Sequence, residues 1–517
     1  MKRASAIVAV VLLVAGCAGA RASHPAAPST ALTSTQDSAL GRQLEPIAAE
    51  HPEASGFRLI NEGREAFAVR TALAEVAEQS IDAQYFLWDG DAVGTILLHR
   101  LMRAATRGVR VRLLVDDLYV KGRDVAISTL AAHPNVDIRL YNVFGGRNRL
   151  SLGRRLDFLL EFGRLNHRMH NKLFVVDNQV AVMGGRNIAD AYFGVDPKLN
   201  YRDMDIVAAG PVVRRLSAGF DAYWNSRAVV PIGSLRGPPS SREVNRAYEG
   251  LEAKTARLLA SFPYALETDA SRILERMRAL TETLVWAPCD VVWADPERGP
   301  SQSTDGESSA VAMKLGSLIE TTQVELVTAS PYVVTENDMP LVRRLRARGV
   351  ATRLLTNSLA STDEPPAYAA FARDRRRMLQ EGVDLYEIRP DAESRRIYTA
   401  DPAGHHRLAL HAKLAVLDRQ TVYIGSFNLD PRSRVINTEV ALLVYSAPLA
   451  EQMLELLERD FKPQNSWRVI LEGDGKTVAW VTQESAEVVR YHRPPATGFW
   501  RRFAARVVGV LPIRGQL

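Results

Sequence analysis

Cysteine is nearly absent: Cys17 and Cys289 are the only two in 517 residues. That excludes a disulfide framework and a cysteine-based zinc ribbon, which need paired or fourfold thiols. Long apolar runs are missing too. The one membrane-directed stretch, Ala6 to about Val14, falls well short of the ~20 residues that span a bilayer core. With 7% aromatic residues and a mean hydropathy of -0.11, the chain is not a polytopic membrane protein. Nor is there a large excess of one charge. The 65 basic and 59 acidic residues leave +6, too even a balance to imply a nucleic-acid partner by itself. Lysine is scarce, at nine residues against 56 arginines. A retained lysine is therefore worth inspecting, because a compact ammonium and a planar guanidinium are not interchangeable at a phosphate.

What is present is an ordinary globular composition, 46% apolar and 24% charged, long enough for two or three domains. Lys2 and Arg3 precede the apolar run, which ends in Val14-Ala15-Gly16-Cys17. This reads as an export signal. Small residues directly before a cysteine resemble a bacterial lipoprotein box, with cleavage before Cys17 and acylation of its thiol; an uncleaved anchor or ordinary secretory signal is the alternative. Ala18 rather than Asp after that cysteine resembles the pattern for transfer to the outer membrane. The expected location is thus the bacterial cell envelope, as a lipoprotein of the outer or inner membrane. Residues 18–52, rich in Ala, Ser, Thr and Pro, are expected to form a flexible tether.

Helical and strand periods then alternate. Ala66, Val69, Leu73 and Val76 share a helical face, Ile81, Ala83, Tyr85 and Leu87 alternate as a strand, and Val93, Ile96, Leu97, Leu101 and Ala104 return to helical spacing before Gly108. Strands follow at Val109 to Val115 and Val136 to Tyr141, a βαβ layout. The order recurs in the second half, where Arg348-Gly349-Val350 repeats Arg107-Gly108-Val109 at a displacement of 241. A repeat of that length predicts two similar α/β lobes, each a mixed sheet flanked by helices. The expected divisions are a signal at 1–17, the tether at 18–52, lobe one at 53–228, a connection at 229–290, lobe two at 291–465 and a C-terminal extension at 466–517.

The chemistry-bearing motifs share the displacement. His170-Asn171-Lys172 opens an apolar run to Asp177 and is followed by Gly184-Gly185-Arg186-Asn187; His411-Ala412-Lys413 opens one to Asp418, followed by Gly425-Ser426-Phe427-Asn428. On a strand, His and Lys two apart point to the same face. A single chance occurrence of this pattern has a probability of about 1% in such a chain, and two with matching Gly and Asn offsets are far rarer.

This constellation suits a phosphodiester. Lys172 and Lys413 supply positive charge, and Asn187 and Asn428 amide donors, around the non-bridging oxygens where negative charge grows. One neutral imidazole attacks phosphorus while a protonated imidazole opposite gives its proton to the leaving alkoxide, so the two lobes divide the work and no metal is needed. Each ring needs its second nitrogen fixed by an acceptor. Asp203, in Tyr201-Arg202-Asp203-Met204-Asp205, corresponds to Glu439, in Asn437-Thr438-Glu439. Asp205 is the rival in the first lobe. Asp177 and Asp418 complete the motifs and, at the strand ends, organise a turn rather than touch substrate.

Paired motifs of this kind resemble those of the phospholipase D superfamily. Gly184 to Gly194, Gly425 to Ser433 and the closing Pro495-Ala496-Thr497-Gly498-Phe499-Trp500 are similar to the bacterial cardiolipin synthase branch, and within it to the C type. The resemblance runs from about residue 55 to the C-terminus. It implies two phospholipase D-like lobes packed as a pseudo-two-fold pair, no cofactor, and a phosphohistidine intermediate. His170 is then the nucleophile, His411 the general acid and then base, and Lys172, Lys413, Asp177 and Asp418 the rest of the catalytic set. Gly185 stands where the second copy has Ser426, so a hydroxyl is expected to be missing from the first lobe's phosphate cradle, with backbone amides compensating.

The implied activity is transfer of a phosphatidyl group to phosphatidylglycerol, the donor being a second phosphatidylglycerol or phosphatidylethanolamine. Two alternatives share the machinery: a secreted phospholipase D releasing phosphatidic acid, and a metal-independent phosphodiesterase or nuclease. The second lacks a linear cluster of basic and stacking aromatic residues, so no nucleic-acid partner is expected. A scaffold with a dead site is opposed by two complete motif sets. Phe499 to Leu511 mixes Phe, Trp and aliphatics with three arginines, which suits a helix lying on an anionic membrane surface or one packed on its own domain.

Overall fold

The computed structural model describes residues 27–120, 124–145, 157–158, 160–235, 237–297, 308–335, 338–484, 487–509 and 514–516; the signal and Cys17 lie outside them. The strands of the first half are β1 (Ser55–Ile60), β2 (Ser80–Tyr85), β3 (Arg110–Asp116), β4 (Val136–Tyr141), β5 (Lys172–Val176), β6 (Val180–Gly184), β7 (Leu199–Arg202), β8 (Asp205–Ala209), β9 (Val229–Pro231) and β10 (Val285–Ala287). Those of the second are β11 (Cys289–Trp293), β12 (Glu325–Ala329), β13 (Ala351–Asn357), β14 (Asp384–Ile388), β15 (Arg407–Leu410), β16 (Leu414–Leu417), β17 (Thr421–Gly425), β18 (Val440–Tyr445), β19 (Ser466–Leu471), β20 (Val478–Glu484) and β21 (Glu487–Tyr491).

They form two mixed sheets, in the orders β10-β1-β8-β6-β5-β2-β3-β4-β9 and β11-β18-β17-β16-β12-β13-β14-β19-β20-β21. The shared run β8-β6-β5-β2-β3-β4-β9 against β18-β17-β16-β12-β13-β14-β19 is the duplication in space. In each lobe a parallel trio (β2-β3-β4, β12-β13-β14) requires helical crossovers. The helices Ala92–Thr106 and Met339–Ala347 supply one each. Both stop at a glycine with positive φ, Gly108 at 101° and Gly349 at 76°. There the following amide turns back to the helix, Val109 N to Ala104 O and Val350 N to Leu345 O, a closure that favours glycine.

The sheets pack face to face. Leu173 and Val175 of β5 share one buried cluster with Leu414 and Val416 of β16, while the alternating Phe174 and Val176 point to the first lobe's own helices. Period-two alternation thus sorts each strand between the inter-lobe core and the outer layer. Across the same interface β7 pairs with β15 in parallel, placing Arg202 beside Leu410. The Arg202 guanidinium is fully buried there and reaches Asp460, on the second lobe's helix Ala447–Phe461, at 2.8 and 2.7 Å.

The structure corrects three of the expected divisions. Residues 27–52 are packed, not a tether. The backbone carbonyls of Ala27 and Ser29 accept from Arg139 and Arg112, Ala31 N donates to Asp221, and the helix Ala39–Ala49 buries Leu40 and Leu44. Arg112 and Arg139 are themselves buried and need acceptors, which this polar segment provides. The connection at 229–290 contributes β9 and β10 to the first sheet, and its helices Ser241–Ala260 and Ala270–Thr281 join that lobe. The extension from 466 supplies β19, β20 and β21 to the second sheet. Among the described residues, no helix is long and apolar enough to cross a membrane.

Removing one member of a buried ion pair leaves an uncompensated charge and costs about 3–5 kcal/mol. Asp460→Ala is accordingly expected to destabilise the protein by about that amount, read as a lowered urea midpoint.

Candidate active site

The residues just before each histidine are held by the other lobe. Met169 bridges to Thr438, with His170 N donating to Thr438 O at 2.9 Å; reciprocally, His411 N donates to Arg202 O at 2.9 Å. The next residues along those partner segments are Glu439 and Asp203. A second clamp repeats at the same displacement of 241. Asp116, at the end of β3, accepts from Met169 N at 3.0 Å. Asn357, at the end of β13, accepts from Leu410 N and donates to Leu410 O, both at 2.8 Å.

The carboxylates consequently cross over. His411 Nδ1 donates to Asp203 Oδ2 at 2.7 Å, and His170 Nδ1 lies 3.0 Å from Glu439 Oε2. The register of β7 on β15 delivers Asp203, downstream of the first motif, to the second lobe's ring. Asp205, the rival, instead pairs ionically with Arg70 at 2.9 Å and lies 3.4 Å from Arg186.

His170 Nδ1 also lies 2.9 Å from the backbone carbonyl of Ser426. A carbonyl can only accept, so Nδ1 carries the hydrogen and the Nε2 lone pair is left free. Burial, reinforced by the charges of Lys172, Lys413 and His411, holds the His170 pKa well below the usual imidazole range. Burial and Lys413 bring His411 down to about 4, against the pull of Asp203. Burial opposes ionisation of Asp203, but its hydrogen bond to His411 and the nearby cationic charges win and hold it at about 2. Burial pushes Glu439 up to about 8. Both rings are thus neutral at rest; the first keeps a free lone pair behind an Nδ1–H held by a carbonyl, and the second faces an ionised carboxylate that favours its charged form.

Lys172 and Lys413 are buried and donate to the carbonyls of His170 and His411. Burial and mutual repulsion depress Lys172 well below the normal ammonium range, and burial takes Lys413 to about 8. An anion bound between these two lysines in a dry cleft favours their charged forms. Asn187 accepts from Leu87 N and donates to Tyr192 Oη at 2.9 Å, so part of its amide is committed. Asn428 N donates to Ser433 Oγ, and its side-chain oxygen has no partner among the described residues.

Two further expectations are corrected. Ser426 Oγ donates to Glu439 and accepts from Val440 N at 3.0 Å, so it braces the carboxylate behind His170 instead of lining a phosphate cradle. Gly185 is required by space: a Cβ there would lie 2.2 Å from Asp203 Oδ1. The shorter aspartate has to sit against the backbone, whereas the longer glutamate leaves room for a serine. Asp177 accepts from the amides of Glu78, Gln79 and Ser80, and Asp418 from those of Gln323, Val324 and Glu325. Each ties down its strand at the end remote from the histidine and takes no part at the reacting atoms.

Sequence reasoning missed the walls of the cleft. Phe86 meets the His170 ring edge-on at 5.2 Å, and Tyr192 and Tyr201 stand 5.0 and 5.2 Å from the His411 ring. Asp363 joins the lobes by accepting from Tyr201 at 2.8 Å and Tyr332 at 2.9 Å. Tyr192 and Tyr201 flank quoted motifs and were findable; Asp363, in a loop without periodicity, carried no signal. Among the described residues, no group of three or more His, Cys, Asp or Glu side chains converges to hold a metal ion.

Residues 71–224 and 315–461 both match the family described as cardiolipin synthase, PLD-like domain. The chain is 34% identical over 483 residues to cardiolipin synthase C of Escherichia coli, covering 92% of this chain and 99% of that one. It is 26% identical to cardiolipin synthase A of Pseudomonas entomophila over 78% of this chain and 68% of that one. Phosphatidylserine synthase of Haemophilus influenzae shares the fold at 13% identity, with a TM-score of 0.52, covering 82% of this chain and 91% of that one.

Gly185→Ala is expected to push Asp203 off His411 and, as is typical when a supporting hydrogen bond is lost, to lower kcat on a phosphodiester about 10–100-fold, measured by steady-state kinetics.

Proposed function

The chain belongs to the phospholipase D-like cardiolipin synthases, and from that membership we propose that it is a phosphatidyl transferase that forms cardiolipin from phosphatidylglycerol and a second phospholipid. The observation that carries the reading is the unequal support of the two imidazoles, a backbone carbonyl behind His170 and an ionised carboxylate behind His411.

His170 Nε2 attacks the phosphorus of the donor lipid. His411 is neutral at rest, its pKa at about 4; an anionic substrate offsets the Lys172 and Lys413 charges that hold it down, so that it takes up a proton balanced by Asp203 and gives it to the headgroup oxygen as the bond from phosphorus to that oxygen breaks. A phosphatidyl-histidine remains. The terminal hydroxyl of phosphatidylglycerol then enters; neutral His411 takes its proton as the oxygen attacks phosphorus, and the P–N bond breaks to restore His170. Lys172 and Lys413 stabilise the charge on the non-bridging oxygens in both steps, and the Asn187 and Asn428 amides border the same space. Asp203 and Glu439 act through the rings, as positioning residues.

The donor is either a second phosphatidylglycerol, releasing glycerol, or phosphatidylethanolamine, releasing ethanolamine. The leader ending at Cys17 supports an envelope lipoprotein that meets its substrates at a membrane surface. Water competes for the same intermediate, and the aromatic walls around His170 and His411 favour a lipid alcohol over it.

In a bacterium lacking its own cardiolipin synthases, the wild-type gene is expected to restore cardiolipin on thin-layer chromatography. His411→Ala is expected to reduce its formation about 10²–10⁴-fold, the usual contribution of general acid–base catalysis, and His170→Ala to abolish it. Accumulation of phosphatidic acid in place of cardiolipin would assign the protein to hydrolysis.

A further inference from the structure

The C-terminal helix Phe499–Gly509 has two faces with different fates. At intervals of four, Arg501, Ala505 and Gly509 face the body. Arg501 donates to the carbonyls of Leu359 and Thr362 at 2.7 and 2.6 Å, Ala505 is buried, and Gly509 lies against Ala369. At the same interval Phe499, Phe503 and Val507 face outward, joined by Trp500. Their exposures are 64, 51, 47 and 76%. The three aromatic rings touch one another, forming a continuous apolar ridge rather than isolated surface side chains. One face is thus packed on the body, as the second of the two expectations has it, and the other is left exposed.

Charge and position identify what meets this ridge. The last 30 residues contain six arginines and no acid, so the surroundings attract an anionic surface. Arg501 grips the loop that leads into Asp363, whose carboxylate holds Tyr201 and Tyr332, and Tyr201 packs on His411. A second contact falls on the other side of the site. Gln516 accepts from Asn166 at 2.7 Å, and Asn166 in turn accepts from Arg432, four residues beyond Asn428. The helix that carries the ridge is therefore anchored through Arg501 to the loop that holds Asp363 at the catalytic cleft.

We infer that this ridge is the element by which the enzyme seats on an anionic phospholipid bilayer, with Phe499, Trp500, Phe503 and Val507 entering the headgroup boundary and the neighbouring arginines meeting lipid phosphates. Seating there turns the cleft rim toward the bilayer and links contact with the membrane to the loop that carries Asp363. The inference rests on the phosphatidyl-transferase reading for its choice of a lipid surface over a protein partner.

The full-length protein mixed with phosphatidylglycerol vesicles bearing dibrominated acyl chains tests it. Tryptophan emission is expected to be quenched, and Trp500→Phe to remove most of the quenchable component. Vesicles of phosphatidylcholine alone are expected to quench less. The variant Phe499→Asp/Phe503→Asp is expected to lower the ratio of turnover on bilayer phosphatidylglycerol to turnover on a monomeric short-chain analogue by about tenfold or more. Quenching that survives Trp500→Phe unchanged, an unchanged ratio, or a ridge covered by a second copy of the chain in vesicle-free solution would overturn the docking surface. Absence of turnover on either substrate, with Trp500 still quenched, would overturn the catalytic reading and leave the docking surface standing.

Discussion

Neither imidazole receives its carboxylate from its own lobe. Asp203 crosses to His411 and Glu439 to His170, because each histidine is preceded by a segment hydrogen-bonded to the other half of the duplication. The site does not exist in a single lobe. The apolar inter-lobe core, the β7–β15 pairing and the buried Arg202–Asp460 pair therefore all serve catalysis, since a slip of one residue in that register turns each carboxylate to the opposite face.

The cleft pays for its chemistry in desolvation. Two lysines, two histidines and two carboxylates are buried together, which is costly unless each is paired. The pairing is unequal. Asp203 sits directly on the Gly185 backbone, while Glu439 is braced by Ser426. The same difference that goes with a glycine in one copy and a serine in the other leaves a backbone carbonyl and a braced carboxyl behind one ring and an ionised carboxylate behind the other. An anionic phosphodiester relieves the repulsion between the lysines, so substrate binding and charge compensation are one event.

Much of this was legible in the sequence, because a 241-residue displacement links His170 to His411, Lys172 to Lys413 and Asn187 to Asn428, and strand periodicity predicts two sheets. The crossing of Asp203 and Glu439 was not legible: each simply follows the motif of its own repeat, 33 residues after His170 and 28 after His411, and only the packing of one lobe on the other decides which ring each meets. Ser426 invited a phosphate-binding reading for the same reason, its actual acceptor being identifiable only in three dimensions. Residues 27–52 were misread because composition describes the segment and says nothing of the buried Arg112 and Arg139 that recruit its carbonyls. Asp363 had neither motif nor period to mark it.

Histidine-selective nitrogen NMR addresses the crossed arrangement most directly, through the ring signals of His170 and His411 in Asp203→Asn and Glu439→Gln proteins. The account predicts that Asp203→Asn moves the His411 resonances and lowers its pKa below about 4 while those of His170 keep their Nδ1–H tautomer, and that Glu439→Gln moves His170 first. A response of His170 to Asp203→Asn and of His411 to Glu439→Gln would contradict it.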